Sequence, residues 1–347
     1  MESKLYSPAH AEAEARCFGQ VYFHRYYFTL NSFPGNRIFF KNRAWRYTMV
    51  YMTRRYIKIF FVLCFLSFMP FCHAMEWKGL HEEADKTDIG SALKKAESDP
   101  GSKDALYILA LSYLNIHKNK QAGDIFDKIL SLDPDAYEAA WGRAEVLRRQ
   151  HKAKESEEII SGILKAHPRF APANITLASI RYTQLDFRAA ARFASRVFGL
   201  TRQEVDDGSL VRAYVIYGLA KGMLAHYGGP LSKTIDGLAS APPLKRAEKL
   251  RPDDAIVLFG VGSYYLLAPV VAGKDLDKAE KYLKDAVVSD PLFVDAFVRL
   301  AQVYKAKGDS DKYREYMDRA LAVDPESELA LDIDSGACRF VCPAGRD

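Results

Sequence analysis

The stretch Pro291-LFVDAFVRLAQVYKAKGDSDKYREYMDRALAVD-Pro325 begins and ends on proline, the second 34 residues after the first. The same interval separates Pro100 from Pro134 and Pro134 from Pro168. Each proline closes a short motif: SDP at Pro100, LDP at Pro134, AHP at Pro168, LRP at Pro252, SDP at Pro291 and VDP at Pro325. From Pro252 to Pro291 is 39 residues, one period plus five, and from Pro168 to Pro252 is 84, two periods plus sixteen. A fixed period of this length is that of a repeated helix–turn–helix unit.

The interior of the units agrees. In KDALYILALSYLNIHKNKQAGDIFDKILSLDP, Leu106, Leu109, Ala110 and Tyr113 recur at the i, i+3, i+4, i+7 spacing of one helical stripe. HKNK is a polar turn, and Ala122, Phe126 and Ile129 give a second helix its stripe. Later units repeat the pattern with Leu258, Val261, Gly262 and Tyr265, then Ala279, Leu283 and Ala286. Phe297, Leu300, Ala301 and Tyr304 follow, with Gly308 in the turn. Small residues at Ala110, Ala144, Ala178, Gly218, Gly262 and Ala301 let the two helices approach closely. Two helices cannot bury both faces alone, so neighbours must stack.

These residues and spacings, from Asp99 to Pro325, resemble the tetratricopeptide repeat. The resemblance implies an all-α fold, an α-solenoid of stacked helix–turn–helix repeats. Units are expected near 100–133, 134–167, 168–201, an irregular 202–251, 252–290 and 291–324. A capping helix over 75–99 would precede them, and a C-terminal cap and a tail from residue 338 would follow. Departures from the pattern are Tyr313, Arg143 and Arg202. In the irregular unit Gly228-Gly229-Pro230 and Pro242-Pro243 are breakers, so the segment between them is expected to project from the array as a helical insertion.

The family's inner face is lined by the second, fifth, ninth, twelfth and thirteenth positions of each first helix. Here these are Asp104, Tyr107, Leu111, Leu114 and Asn115, then Glu138, Trp141, Glu145, Arg148 and Arg149, then Ile175, Ser179, Tyr182 and Thr183. Aromatics beside arginine are the residue types that dominate binding hot spots. Tyr107, Asn115, Trp141, Glu145, Arg148, Arg149, Ser179 and Tyr182 are therefore the candidate groove for a protein or peptide partner. The alternative is a small-ligand pocket beside the insertion, lined by Tyr214, Tyr217, Tyr227 and Tyr264. That insertion and the AP…AGKD turn are loosely similar to exported repeat proteins associated with TRAP-type transporters.

No catalytic constellation is legible, and no cofactor or metal is expected. His81, His117, His151, His167 and His226 show no metal-ligand spacing. Asp206-Asp207, Asp253-Asp254 and Glu157-Glu158 sit where acids answer helix dipoles.

The formal charge of +5 at pH 7 invites a nucleic-acid reading that its distribution removes. Residues 1–74 hold 10 of 49 Lys+Arg and 3 of 44 Asp+Glu, leaving 39 against 41, net near −2. Within that segment Arg54, Arg55 and Lys58 precede an apolar run from Ile59 to Phe71, and Cys72-His73-Ala74 is an A-x-A-like cleavage site. The run is shorter than the ~20 residues needed to span a bilayer. The reading is a signal peptide starting at Met52 and cleaved after Ala74, with residues 1–51 upstream of the natural start. The expected location is periplasmic. Cys338 and Cys342 then face an oxidising compartment, where they could pair or remain two thiols in a tail.

Overall fold

The computed structural model describes residues 77–342. The readings made for residues 1–74 lie outside the described residues, as do residues 343–347 of the tail. Fifteen α-helices and one 3-10 turn, with no strand, make up the described residues. Two short helices, α1 (Trp77–Ala84) and α2 (Ile89–Ser98), come first. Six hairpins follow: α3 (Lys103–Asn115) with α4 (Asn119–Leu132), α5 (Tyr137–Arg149) with α6 (Ala153–Ala166), and α7 (Ala171–Thr183) with α8 (Phe187–Phe198). Next are α9 (Asp207–Tyr227) with α10 (Pro230–Leu250), α11 (Ala255–Leu267) with α12 (Leu276–Ser289), and α13 (Val294–Lys307) with α14 (Ser310–Val323). The last helix is α15 (Glu328–Asp334). Among the described residues no helix is long and apolar enough to cross a membrane.

The prolines sit at equivalent corners. Each follows one residue after a second helix, and that residue is extended: φ/ψ is −147/93 at Asp133, −135/97 at Asp290 and −144/97 at Asp324. A proline disfavours α geometry in the residue before it, so the helix stops there. The amides of Asp133, Asp290 and Asp324 close the helix on Ile129, Ala286 and Ala320 carbonyls at 2.8–3.0 Å. Their own carbonyls accept from Ala136, Phe293 and Ser327, which turns the chain into the next hairpin. Inside four of the six hairpins the turn passes through a left-handed residue just after the first helix, His117 (φ 58), His151 (φ 59), Leu185 (φ 65) or Gly308 (φ 85). Glycine is the usual occupant of such a helix end, and only the last of these four turns has one.

Helix contacts follow the small residues. Ala110, Ala144, Ala178 and Ala301 are completely buried. At Gly218 a Cβ would lie 2.8 Å from the Ser240 carbonyl and from Leu244 Cγ. At Gly262 it would lie 2.7 Å from Leu283 Cγ. Gly142 is tighter still, with Phe126 ring atoms 2.3 Å from where its Cβ would be.

The insertion corrects the sequence reading. The residues between Gly228 and Pro243 form no separate lobe. The extra length is divided between α9 and α10, 21 residues each where most partner helices have 13 or 14. Because both arms lengthen together, Pro252 returns to its corner. Gly228 and Gly229 do make the turn, but Pro242 and Pro243 lie within α10. Packing of Leu244 and Ala247 against α9 outweighs the loss of their two amide donors. The five-residue expansion at Pro269 becomes the 3-10 turn Val270–Ala272, closed by Gly273 at φ 97.

The expected capping helix is two helices with different jobs. α2 packs on α3 at the end of the stack. α1 leaves the stack and lies against the inner face, where Trp77 packs with the core of the first repeats.

Contacts far apart in sequence close the array. His117 Nε2 is 2.8 Å from Asp290, and His151 Nε2 is 3.0 Å from Asp324. His151 Nδ1 reaches Glu328 at 3.2 Å, and Arg251 meets Asp85 at 2.6 Å. The two His–Asp pairs are related by one repeat on both sides: 34 residues from His117 to His151 and 34 from Asp290 to Asp324.

Candidate functional site

First helices of successive hairpins turn their inner positions toward a common channel. It holds about 940 Å³ and is bordered by Leu114, Arg148, Ile175, Ser179, Arg212 and Asp295, among others. A neighbouring recess of about 630 Å³ shares Trp141, Glu145 and Arg149 with it and continues past His81 and Asp206.

Glu145 organises the charges. Arg148 donates to it through Nε and Nη2 at 3.0 and 2.7 Å, and Arg149 through Nε at 3.1 Å. Burial pushes the Glu145 carboxyl up, but the two guanidiniums outweigh it and hold the group well below the usual carboxylate range. Thr176 Oγ1 donates to Glu145 at 3.1 Å and accepts from Trp141 Nε1 at 3.0 Å. Arg149 also caps the Leu114 carbonyl at 2.7 Å. The floor is therefore a locked network rather than a set of free side chains. Arg212, on the facing α9, makes no ion pair among the described residues, and it borders both spaces. Burial pushes the Asp295 carboxyl up to about 6, against the pull of Arg299 and Arg148.

Of the groove residues expected from sequence, Asn115, Trp141, Glu145, Arg148, Arg149, Ser179 and Tyr182 border the channel. Two are covered by the chain itself. Tyr107 is fully buried beneath α1, its hydroxyl sharing a hydrogen bond with His81 Nε2 at 3.0 Å. Tyr182 stacks on Phe340 with ring centroids 5.9 Å apart, and burial pushes its hydroxyl up to about 12. Neither offers a partner the exposed aromatic face that the inner-face pattern implied.

The four tyrosines expected beside the insertion border neither of these two cavities. Tyr214 and Tyr217 pack on Phe198 at 4.7 and 5.2 Å, filling the space between α8 and α9. Tyr227 stacks on Phe187 and donates to the Arg339 carbonyl at 2.6 Å. Tyr264 donates to the Ala272 carbonyl at 2.8 Å, closing the expanded turn. Tyr214 and Tyr217 share one interface, while Tyr227 and Tyr264 hold their hydroxyls on other segments.

Cys338 and Cys342 are joined by a disulfide. The loop it closes enters the far end of the channel. Phe340 and Val341 are buried, and their carbonyls accept from Arg299 Nη2 (3.0 Å), Arg299 Nη1 (3.2 Å) and Gln302 Nε2 (3.1 Å). Arg299, Gln302, Arg212, Asp295 and His81 were not among the sequence candidates. Arg212 and Asp295 hold the second positions of their repeats and Gln302 the ninth, so the inner-face rule applied to the later hairpins would have found all three. Arg299 lies off those positions and faces a segment that only the fold brings near.

Residues 109–169 and 294–327 each match a family model described as tetratricopeptide repeat. A search among curated proteins finds no match. Among solved structures the chain is similar to the APC/C hetero-tetramer Cut9-Hcn1, with 15% identity, 74% of this chain and 47% of that chain covered, and a TM-score of 0.50. It is similar also to the human IFIT1 dimer with m7Gppp-AAAA, with 17% identity, 69% and 55% coverage, and a TM-score of 0.50. YrrB, described as a TPR protein with an unusual peptide-binding site, aligns over 71% of this chain and 99% of its own at 19% identity and a TM-score of 0.28. The match spans about half the length of the Cut9-Hcn1 and IFIT1 chains, and at these identities the likeness concerns the fold.

Proposed function

Since the chain is built from tetratricopeptide repeats, we propose that its channel holds a segment of a partner protein and that the chain acts by binding rather than by catalysis. The observation that carries this reading is the channel itself. Its walls are preformed by the Glu145–Arg148–Arg149 network, and Arg212, without an ion pair among the described residues, lies across from them. A preformed concave surface spends little ordering entropy on binding. The apolar Leu114, Ile175 and Phe259 beside these charges supply area.

Location in a bacterial envelope is part of the proposal. It is supported by the signal-like sequence ending at Ala74 and by the Cys338–Cys342 disulfide, a bond that persists in oxidising compartments. N-terminal sequencing of the protein from its native host tests it; a mature chain starting near Met75 is expected, and retention of residues 1–51 would reject it.

A photo-cross-linking side chain at Ser179, compared with one at exposed Lys128 on the outer side, tests the channel. A discrete protein adduct from position 179 alone, abolished by Arg212→Glu, is expected. Identical adducts from both positions would overturn the reading. The channel volume also lies within the range of small-molecule sites, which favours a small ligand as the second reading. Native mass spectrometry of the purified chain distinguishes the two: a bound mass below ~1 kDa selects the small ligand.

A further inference from the structure

α1 occupies part of the inner face as a bound ligand would. Trp77 meets the Phe170 ring edge-on at 5.3 Å. Four residues on, His81 lies 5.2 Å from the Trp141 ring and shares its hydrogen bond with Tyr107. Leu80 and Ala84 complete the same face and are buried. The receiving surface is rigid, because Trp141 is fixed by Thr176 and Tyr107 packs on Phe126. Beside it is Asp206, a buried carboxylate whose Oδ2 has no hydrogen-bond partner among the described residues. Otherwise Glu83 of the helix pairs with Lys95 of α2, both half-exposed, and Asp85 just past its end pairs with Arg251.

An eight-residue helix has no stability of its own in water. α1 is helical because it is docked, and once released it unravels. The four residues Asp85–Asp88 that join it to α2 leave room for it to swing away.

We propose that α1 stands in cis for a helical segment of the partner and competes with it for the seat formed by Tyr107, Trp141 and Phe170. The site takes an amphipathic helix that presents an aromatic residue, an apolar residue three positions later and an imidazole at the fourth. This rests on reading the channel as a partner site. It adds that this seat, beside the open recess, is filled in the free chain and becomes available by exchange of one helix for another.

The test uses the full chain and a labelled peptide of residues 75–88. In the chain carrying Trp77→Ala with Leu80→Asp, that seat is vacated, and the peptide binds at least tenfold more tightly than to the unaltered chain. The same peptide with His81→Ala loses at least tenfold. Failure of the peptide to bind the altered chain, with its helicity intact by circular dichroism, overturns the proposal. So does equal binding to both chains.

Hydrogen exchange on the unaltered chain provides an arm that needs no variant. Amides of α1 exchange at least a hundredfold faster than those of α3 if the helix undocks locally, and exchange in step with α3 overturns it. Since the peptide is a piece of this chain, its result is independent of the Ser179 cross-link. A positive cross-link with no peptide binding keeps the channel and removes the role of α1.

Discussion

Gly142 shows how much of the stacking rests on single atoms. The Phe126 ring occupies the space where any side chain at 142 would begin, and both residues sit in the interface between the first two hairpins. Gly142→Ala should cost about 1–3 kcal/mol through overpacking, because an aromatic ring cannot yield by the ångström required. Urea unfolding monitored by circular dichroism checks it, and an unchanged midpoint would show that the interface relaxes. Sequence spacing found Phe126 and the small residues Ala110 and Ala144. It passed over Gly142, because that glycine stands two positions before the repeat's own small residue. His81 was equally silent, an isolated histidine in a short segment. Its environment is what matters: it faces Tyr107 and Trp141, with Asp206, Asp85 and Arg212 contributing charge. Burial pushes its pKa from 6.5 down to about 4. The docked state therefore binds fewer protons than the released one. Docking of α1 should be complete above pH 6.5 and weaken as pH falls toward 4. Trp77 fluorescence against pH reads this, and His81→Phe should flatten the curve.

At the scale of elements, the corners were legible and the long hairpin was not. Proline forces an extended residue before it whatever surrounds it, so six recurring motifs were enough to locate six turns. The Pro242-Pro243 pair obeys the same local rule and loses to packing. Ser240 lies where its carbonyl backs onto Gly218, and Leu244 and Ala247 bury against α9, which holds α10 helical through both prolines. A breaker signal reports a local cost, and 21-residue helices in contact along their length can absorb it. The residual cost remains in the protein. Pro242 is exposed, and replacing it with alanine restores one amide donor to the Leu238 carbonyl. Pro242→Ala should stabilise the chain by roughly 1–3 kcal/mol, less than the full cost of proline in a helix because the unfolded chain gains freedom too. Thermal unfolding measures it. A lower melting temperature would mean that the proline geometry is needed for the α9–α10 crossing.

At the scale of the whole array, the decisive contacts join residues 173 apart. No local pattern announces them, since His117 and His151 read as turn residues and Asp290 and Asp324 as ordinary partners of proline. They meet because a small rotation per repeat accumulates until the first two turns face the last two corners. The repetition of the contact, one repeat apart on both sides, means that the pairs act together and that losing one leaves the other in register. Burial alone would push His151 down, but hydrogen bonds and charge from Glu328 and Asp324 outweigh it and hold the ring above its ordinary value. With the folded pKa raised, this contribution is fully present below the unfolded value of 6.5 and is lost as pH rises through the folded one. Acid thus releases α1 while base loosens the closure, and the array is most completely shut near pH 6.5. His117→Ala with His151→Ala should open it at every pH. Spin labels at Lys120 and Val288, both exposed and on opposite sides of the closure, would report a longer and broader distance distribution in that double variant. The unaltered chain should move the same way on raising the pH to about 9, well past the ordinary histidine range. A distribution identical in both would mean that the hairpin stack alone sets the curvature, with the histidines resting on a closure they do not hold.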